Sequence, residues 1–563
     1  MTQLTTSQRL IMLIMAVIWL SFLGYRDLID PDEGRYAEIP REIVSTGDWL
    51  TPRLNDLKYF EKPILHYWMT AAVYKVFGEN NTTARIVTSV GGLCTALWIF
   101  FIAARLLNIT AAFYSYLICI SSLIFISLGH IITLDMTLTL FLTVAYGCLL
   151  LAQSNRTQSK SCRNWMLFGY IMLSCAVLTK GPVALLLPAA NIFLYAWIFK
   201  DWQIFKYLHV GKGTLLILAL TSPWFIAVNQ VNPEYFHFFF IQENLLRFTT
   251  NIHARQQPAW FFIVVLIIGA VPWMVQSLQA LIKPNSLSSV QVADNTSSDK
   301  NVTNKQRFFT HQQFNSFGFL WLYCLFTLVF FSMSHSKLIP YILPIFPFLA
   351  MMVAKIIDTH GLSKFAPLQL LGFAVLLGIV NVRLPYMDSG DIPDVPAALA
   401  ALQTKIWLVI AILVIGSAIT LYLLKQTSKA TMVLALTSLL AFKVLIFSYQ
   451  DVGQYNSSKR LAAAIQPHLT DNSKIYSVDT FSHSLVFYLQ RYITVVKYRG
   501  ELAMGIDLEP NKAVPTIADF KQLWAITPDA VAVFNTKLFD TGIMPPLSYQ
   551  VIYRDKKRVA ISH

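Results

Sequence analysis

Charged residues are scarce in this sequence. Asp, Glu, Lys and Arg make up 13% of its 563 residues, about half of the share that is usual in a soluble domain. Hydrophobic residues make up 55%, and the mean hydropathy is +0.53. This composition excludes an ordinary soluble domain and predicts an α-helical protein that crosses a membrane many times.

Several common site signatures are also missing. The sequence has no glycine-rich phosphate loop, no HExxH and no GxSxG motif. Its six cysteines form no CxxC pair, and none follows Cys324, so no metal cluster or disulfide framework is indicated. The net charge is +14, but Lys and Arg are scattered through short loops. Nucleic-acid-binding proteins instead show a basic stripe, so we expect no nucleic acid partner and assign the charge to membrane lipid.

Apolar stretches long enough to span a bilayer recur along the chain. A spanning helix needs about 20 mostly apolar residues. About thirteen spans are predicted, near residues 9–24, 83–104, 109–129, 135–153, 165–179, 183–199, 213–230, 259–282, 315–333, 338–357, 365–383, 405–424 and 431–449. Residues 64–78 are apolar but interrupted, and this pattern predicts a helix lying at the membrane interface.

The distribution of Lys and Arg predicts the orientation of these spans. The alternate loops at 130–134 and 384–404 carry no Lys or Arg, which places them on the outer face by the positive-inside rule. The loops 25–82 and 231–258, and everything after residue 450, then lie on that outer face too.

The chain is predicted to divide at about residue 453. Residues 1–452 form the transmembrane domain, and the polar, Ser/Asn-rich residues 284–314 are predicted to be a disordered cytoplasmic linker. Residues 453–563 are predicted to be a small mixed α/β domain outside the membrane. Its helices are predicted at Ser458–Leu469 and Ile517–Trp524, and its strands at Lys474–Asp479, Leu485–Leu489, Tyr492–Tyr498, Ala530–Phe534 and Tyr549–Tyr553.

A dense group of charges follows the first apolar segment. Residues 30–42 read Asp-Pro-Asp-Glu-Gly-Arg-Tyr-Ala-Glu-Ile-Pro-Arg-Glu, and charge beside a bilayer is costly unless it has a partner or a function. Pro31 predicts a rigid turn before a short helix that begins near Asp32. Asp32 is therefore a candidate catalytic residue, and the alternative is that it only caps the helix.

A second group is Tyr59-Phe60-Glu61-Lys62-Pro63. Lys62 is a candidate ligand of a lipid phosphate, and Glu61 is a candidate to hold Lys62 or a metal ion. The alternative is an interface anchor in which aromatic rings lie at the headgroup level and the lysine extends to water.

Three further groups lie beside other predicted spans. Asp135 lies at the start of one predicted span. It either pairs with a cation elsewhere in the helix bundle, for which Arg85 is a candidate, or has a role in catalysis. Glu243 and Arg247 are four residues apart, so they either pair along a helix or Arg247 binds phosphate. Lys337 is either a phosphate ligand or a boundary anchor, and neighbouring His335 is interpreted as an interface residue.

All five groups lie on the outer side under the orientation given by charge counting. The cations Arg35, Lys62, Arg247 and Lys337 outnumber what one carboxylate needs. We therefore predict one outward-facing site that binds a phosphate-bearing lipid.

The same motifs resemble a known family. Residues 30–42, Gly47-Asp48-Trp49, Tyr59–Pro63, Leu134-Asp135, Glu243-x-x-x-Arg247-Phe248 and Ser336-Lys337-Leu338-x-x-Tyr341-x-Leu343-Pro344 resemble the bacterial aminoarabinose (4-amino-4-deoxy-L-arabinose) lipid A transferases. This family belongs with the protein O-mannosyltransferases among the GT-C glycosyltransferases. The resemblance implies a GT-C fold of thirteen spans in the bacterial inner membrane, with the active site and the C-terminal domain on the periplasmic face. It also implies an inverting transfer of sugar from undecaprenyl phosphate to lipid A phosphate, a modification associated with polymyxin resistance.

The resemblance also implies roles for individual residues. Asp32 matches the main catalytic aspartate and Asp135 matches the second acidic residue, and Lys62, next to Glu61, is the third catalytic candidate. The candidate donor-phosphate residues are Arg35, Tyr59, Lys62, Arg247, Lys337 and Tyr341.

A divalent metal ion such as zinc is implied as a cofactor. Glu61 matches the metal-associated glutamate. Around 242–244 the family tends to carry histidine, whereas this chain has Gln242-Glu243-Asn244. Glu243 is therefore the second candidate ligand.

Other functions fit parts of this pattern. Protein O-glycosylation, or transfer of a hexosamine to lipid A, would use the same site with another acceptor or sugar. A transporter of lipid-linked sugars would use the cations as a headgroup site. Transporters are often built from paired repeats, and the sequence shows no convincing repeat.

Overall fold

The structure is a computed structural model that describes residues 3–156, 158–246, 256–284, 314–386, 395–544 and 549–563. Helices make up most of it, as the hydropathy predicts. The helices of ten or more residues before residue 450 are Thr6–Leu20, Asp32–Thr46, Leu65–Phe77, Asn81–Leu106, Ile109–Ser121, Leu134–Ser154, Ser159–Lys180, Val183–Ile198, Val210–Val231, Ser316–Met333, Phe346–His360, Phe365–Arg383, Val395–Tyr422 and Thr427–Ser448. A helix of π geometry runs over His237–Leu246, and the shorter α-helices Leu123–Gly129, Phe261–Gly269 and Met274–Ile282 complete this region.

Many of these helices are suited to crossing a membrane. Within the described ranges, eight helices are long and apolar enough to do so, and a ninth span is formed if Ile109–Ser121 and Leu123–Gly129, which bend by 62°, count as one. The chain is a multi-pass membrane protein. The expected count of thirteen is not confirmed, because Thr6–Leu20 and Val183–Ile198 are shorter apolar helices and the predicted span 259–282 is two short helices.

By its internal contacts the chain divides into two compact units. The first contains Met1–Ser21, Thr88–Ile379 and Trp407–Leu445, and the second contains Phe22–Val87, Val380–Ile406 and Ile446–His563. The predicted domain boundary at residue 453 stays a prediction. The predicted linker 284–314 lies, except for its two end residues, outside the described residues.

The second unit contains a six-stranded mixed sheet. Its strands are β3 (Ile475–Val478), β4 (Thr494–Val496), β5 (Ala513–Val514), β6 (Val531–Asn535), β7 (Gln550–Arg554) and β8 (Arg558–Ser562), and their order is β5-β4-β3-β6-β8-β7. The first four strands in this order pair in parallel, whereas β8 pairs antiparallel with β6 and β7. A two-stranded hairpin of the same unit, β1 (Arg53–Leu54) and β2 (Leu57–Lys58), lies earlier in the chain.

Both faces of this sheet are covered by apolar side chains. Ala532 and Phe534 pack into one buried cluster, and Val531 and Val533 pack into another. This alternation follows from the two-residue period of a strand. It explains why the sheet strands read as apolar runs in the sequence.

The prediction for the C-terminal region was right in most elements and wrong in one. Helices Lys459–Ile465 and Ile517–Ile526 and the strands β3, β4, β6 and β7 lie where expected. Leu485–Leu489, predicted as a strand, belongs to the helix His483–Leu489. This helix packs against Asp32–Thr46 and is buried on nearly all sides, so its short apolar run carries no helical period. The strands β5 and β8 were not predicted.

Candidate active site

The helix Asp32–Thr46 carries the first candidate residues. Asp32 and Glu33 lie in its first turn, where negative charge is stabilised by the helix dipole. Pro31 occupies the N-cap position, and no side chain caps the helix. The alternative in which Asp32 serves as the cap is therefore wrong. Gly47 ends the helix at φ +73°, a conformation that favours glycine.

Asp32 pairs with Arg35 one turn later and stays open to solvent. Its carboxylate forms an ion pair with Nη2 of Arg35, and its side chain is 53% exposed. Asp30, two residues earlier, behaves differently. Its carboxylate accepts hydrogen bonds from Ser484 N at 2.6 Å and Oγ at 2.9 Å and from Ser458 Oγ at 3.0 Å. Asp30 is thus a structural residue, whereas Asp32 is accessible to a substrate.

Arg35 is the centre of this cluster, and its side chain is only 5% exposed. Its Nη1 donates to Glu501 Oε2 at 2.6 Å and to Tyr59 Oη at 3.1 Å. The carboxylate of Glu61 lies 3.9 Å from the same nitrogen. One buried cation therefore has three carboxylates around it, and one of them is widely exposed.

Burial and charge hold these groups in defined protonation states. Burial opposes the charge on Arg35, but the nearby oxygens of Tyr59, Tyr36, Glu61 and Glu501 outweigh it and raise the pKa of the guanidinium well above its ordinary value. Burial also raises the pKa of Tyr59 well above its ordinary value. Arg35 is therefore a permanent cation, and Tyr59 keeps its proton.

The chain from Arg53 to Lys62 brings Tyr59 and Glu61 to this cluster. It begins with the β1–β2 hairpin, whose Lys58 N donates to Glu509 Oε2 at 3.0 Å, and Arg53 Nη1 lies 3.1 Å from the same carboxylate. Lys62 follows Glu61, and its Nζ donates to the Glu61 carbonyl at 2.7 Å. The contacts with Glu509 thus hold the hairpin that leads to Tyr59 and Glu61, and they are separate from the contacts of Arg35.

Glu33 forms a separate cluster with two arginines. Arg85 donates to it through Nε and Nη2, both at 2.9 Å, and Arg26 Nη2 lies 3.2 Å away. Arg85 was expected to pair with Asp135, and this prediction was wrong. Its guanidinium is instead occupied by Glu33 and by the carbonyls of Leu23, Arg26 and Asp27.

Asp135, in the first unit, pairs with Lys180. The ammonium of Lys180 forms an ion pair with Asp135 Oδ1 and lies 4.8 Å from the centre of the Tyr341 ring. The helices Leu134–Ser154 and Ser159–Lys180 pack against each other, and Asp135 is near the start of one whereas Lys180 ends the other. Two of the predicted residues, Asp135 and Tyr341, thus meet through a lysine that sequence reasoning missed.

Gly181 makes the sharp turn after Lys180. Its φ is +86°, and a Cβ atom at this position would lie 2.6 Å from the ring of Phe239. Both the backbone conformation and the close packing require glycine here. Phe239 lies in the helix His237–Leu246, whose π geometry often marks functional positions.

The remaining candidates are placed less completely. Lys337 is buried, and its Nζ donates to the Ser334 carbonyl at 2.6 Å. Glu243 is also buried, whereas Arg247 lies outside the described residues. Both alternatives, an ion pair with Glu243 and phosphate binding by Arg247, therefore stay predictions. His335 remains interpreted as an interface residue.

The metal cofactor stays a prediction. Within the part of the chain that the structure describes, no three His, Cys, Asp or Glu side chains are placed together to hold a metal ion. The Glu61 carboxylate lies 3.9 Å from Arg35 Nη1. Glu61 and Glu243 remain its candidate ligands.

Three polar residues of these clusters, Lys180, Glu501 and His483, were not predicted from the sequence. Lys180 could have been noticed, because a charge ends an apolar span there in Lys-Gly-Pro. Glu501 and His483, whose Nε2 lies 3.2 Å from Glu501 Oε2, come from a region without any motif. Only folding brings Glu501 to Arg35.

Family models match both ends of the chain. The model described as aminoarabinose transferase C-terminal domain matches residues 461–563. The model described as dolichyl-phosphate-mannose-protein mannosyltransferase matches residues 7–239. The two matches together include the helix Asp32–Thr46, Asp135 and Glu501.

A curated relative and two solved structures are similar to this chain. The undecaprenyl phosphate-alpha-4-amino-4-deoxy-L-arabinose arabinosyl transferase of Shewanella sediminis is 33% identical over 344 residues, which are 61% of this chain and 58% of the relative. ArnT from Cupriavidus metallidurans bound to undecaprenyl phosphate aligns over 98% of this chain and 97% of its own, with 29% identity and a TM-score of 0.86. Its apo structure aligns over the same shares, with 30% identity and a TM-score of 0.85.

Proposed function

The chain belongs to the aminoarabinose transferase family, with a GT-C fold, and we propose on that premise that it is an inverting glycosyltransferase. It moves 4-amino-4-deoxy-L-arabinose from undecaprenyl phosphate to a phosphate of lipid A. The observation that carries the proposal is the open Asp32 held by the buried, permanently charged Arg35. The full-length similarity to a structure that holds undecaprenyl phosphate supports the donor.

The reaction requires positive charge around the leaving group. An oxygen of the acceptor phosphate forms a bond to the anomeric carbon while the bond from that carbon to the donor phosphate oxygen breaks. The lipid phosphate that leaves gains negative charge, which fixed cations stabilise. Arg35 contacts Asp32 and lies 3.9 Å from the Glu61 carboxylate, and Lys62 follows Glu61 and donates to its carbonyl, so these two cations are the candidates.

The role of Asp32 depends on the acceptor. A phosphate monoester has a second pKa of about 6, so it is already ionised and nucleophilic at neutral pH. Asp32 then positions the acceptor through its exposed carboxylate. With a hydroxyl acceptor, Asp32 would have to remove a proton as a general base.

The terminal nitrogens of Arg35 are occupied by protein groups in this structure. Asp32, Tyr59 and Glu501 contact them directly. A donor phosphate that binds Arg35 therefore replaces one of the two carboxylates in contact with it, Glu501 or Asp32. Before the donor binds, these carboxylates neutralise the charge of Arg35.

The active site is proposed to face the periplasm. The support is the uneven distribution of Lys and Arg between the loops, which places Asp32 and the C-terminal region on the outer side. Lipid A and the undecaprenyl-linked sugar would reach the site from that side.

A protein hydroxyl is the second candidate acceptor. It is favoured by the match of residues 7–239 to the mannosyltransferase model. Both acceptors use the same donor chemistry, and they differ only in whether Asp32 must take up a proton.

Mass spectrometry of lipid A tests the proposal. Cells that express the chain should gain lipid A carrying a pentosamine, and Asp32→Asn should reduce the gain by about a hundredfold, because a poorly positioned acceptor reacts about that much more slowly. The control is Asp540→Asn, which removes a carboxylate of similar exposure from an ion pair with Arg554 and should leave the gain unchanged. A hexosamine mass would replace the sugar assignment, and unchanged lipid A with a glycosylated protein would replace the acceptor.

A further inference from the structure

A cavity in the second unit is lined by basic residues that the proposed reaction does not use. Its volume is about 370 Å³, and its cationic lining residues are Lys537, Lys556, Lys557 and Arg558. All four follow β6 in the chain, and Arg558 is the first residue of β8. The opposite wall contains Tyr455, Asn456 and Asp30.

Among the lining residues that the structure describes, the one carboxylate is Asp30, and it does not pair with the lysines. Its two oxygens already accept the three hydrogen bonds from Ser458 and Ser484. Three lysines thus line a cavity whose single carboxylate is engaged elsewhere, and such a concentration of positive charge attracts an anion.

Two of the basic side chains are held by other residues, and two are available to bind a ligand. Arg558 is buried, donates to Ser458 Oγ at 2.7 Å and pairs with Asp555 at 2.9 Å. Lys557 Nζ donates to Asn456 Oδ1 at 2.7 Å. The ammonium groups of Lys537 and Lys556 are exposed and make no hydrogen bond to another residue within the described ranges. These two lysines are available to a ligand.

A buried hydroxyl adds a second, independent observation. Tyr455 lines the cavity, and its Oη is buried with no hydrogen-bond partner among the described residues. The guanidinium of Arg460 lies 5.4 Å from the centre of its ring, which holds the ring in place. A buried hydroxyl without a partner is costly, and an oxygen of an anionic ligand in the cavity would accept a hydrogen bond from it.

The chemistry of a phosphate monoester fits this arrangement. It carries close to two negative charges at neutral pH and presents three acceptor oxygens. Lysine ammonium groups bind it as point charges. The cavity is at the lower end of the size range of small-molecule sites, roughly 300–1,000 Å³, so it holds a phosphate together with part of the group that carries it.

The location of the cavity connects it to the reaction. Asp30 lies in its wall, and its backbone N donates to the Asn456 carbonyl at 3.1 Å. Asp32 is two residues further, a distance of at most about 7 Å along the backbone. We propose that this cavity binds a second phosphate monoester of the acceptor and so positions another phosphate of the same molecule at Asp32. The inference rests on the proposed function.

Binding without donor tests the cavity separately from transfer. The full-length protein in detergent is titrated with bis-phosphorylated lipid A, with the fully dephosphorylated lipid and with inorganic phosphate. The variant Lys537→Gln/Lys556→Gln/Lys557→Gln should bind the bis-phosphorylated lipid about tenfold or more weakly than the wild type, because three charged contacts are lost. Tyr455→Phe should weaken it severalfold and keep the ring against Arg460.

The matched control removes the same charge elsewhere. Lys474→Gln/Lys497→Gln/Lys521→Gln changes three lysines of the same unit that do not line the cavity, and it should bind like the wild type. The dephosphorylated lipid should bind all variants equally.

Two results would overturn the proposal. Equal weakening in the triple variant and its control would show a general charge effect. A loss confined to inorganic phosphate would assign the cavity to the free ion rather than to the acceptor. Failure of the proposed function would appear differently, as absent sugar transfer by the wild type while phosphate-dependent lipid binding persists.

Discussion

Two ion clusters lie on the first turns of the helix Asp32–Thr46, and they are built in opposite ways. In one, the anion Glu33 is enclosed by Arg26 and Arg85, and its side chain is 2% exposed. In the other, the cation Arg35 is enclosed by Asp32, Glu61 and Glu501, of which Glu501 is 25% exposed and Asp32 53%. The first cluster is closed to solvent, whereas the second presents its carboxylates to it.

This difference separates support from chemistry. A buried ion pair that solvent does not reach can only hold its elements together, and Glu33 connects residues 26, 29 and 85 in this way. A buried cation with exposed carboxylate partners can bind a substrate, because an anionic group of the substrate can replace one of those carboxylates. Asp30 and Asp32 repeat the contrast two residues apart, since the first is saturated by serine donors and the second is open.

The largest expected effect is on the closed cluster. Glu33→Gln leaves two buried arginines without their anion and should lower the free energy of unfolding by about 3–5 kcal/mol. The measurement is thermal unfolding of the protein in detergent. The matched variant is Glu501→Gln in the open cluster, which should lower stability by about 1 kcal/mol or less. Equal destabilisation by the two variants would contradict the distinction between the clusters.

A smaller effect is expected on ligand binding to the open cluster. Glu501→Gln removes the charge that contacts Arg35 at 2.6 Å, so a phosphate competes with one fewer anion for that guanidinium. The affinity for undecaprenyl phosphate should rise by roughly threefold to tenfold, as expected for one partly screened ion pair.

The control for this variant is Asp507→Asn. It removes a carboxylate from the exposed ion pair with Arg499 at 2.7 Å in the same part of the chain. Its affinity for undecaprenyl phosphate should match the wild type. A fall in affinity on Glu501→Gln would mean that Glu501 orients Arg35 rather than competing for it.

The smallest effect concerns the support of the β1–β2 hairpin. Despite partial burial, hydrogen bonds from Lys512, Arg53 and the Lys58 backbone lower the pKa of Glu509 below its ordinary value. Because the folded-state pKa is depressed, this stabilisation is present above the unfolded pKa of about 4.3 and is lost as the pH falls through the folded value. Glu509→Gln should therefore lower the free energy of unfolding at pH 7 by less than about 1 kcal/mol. The unfolding temperature should fall slightly.

The pH dependence tests this assignment. The difference between Glu509→Gln and the wild type should shrink as the pH falls below about 4.3. Asp471→Asn, at a fully exposed carboxylate, should unfold like the wild type throughout. A difference that grows on acidification would contradict the depressed pKa.

Local patterns predicted most of the elements. Hydropathy located helices such as Leu134–Ser154 and Phe365–Arg383, and alternating apolar residues located β3, β4, β6 and β7. Leu485–Leu489 was wrong because a short apolar run buried on nearly all sides has the same pattern in a strand and in a helix. Strand β8 was missed although all five of its residues are buried.

Charge partners were the main failure of prediction. Arg85 was assigned to Asp135, but Arg85 binds Glu33 and Asp135 binds Lys180. The motif residues Asp32, Arg35, Tyr59 and Glu61 do meet in one cluster, as the sequence suggested. Glu501, whose Oε2 lies 2.6 Å from Arg35 Nη1, belongs to no motif at all.

The amino-acid sequence by itself determined the membrane class, the family and the helix on which the candidate residues lie. Hydropathy over about 20 residues and a contiguous motif are local properties that need no knowledge of the fold. Only the tertiary structure decided which charge neutralises which, because the partners are distant in the chain: 45 residues for Asp135 and Lys180, 52 for Glu33 and Arg85, and 466 for Arg35 and Glu501. An ion pair depends on where two side chains meet in space, and that position is set by the packing of every element between them.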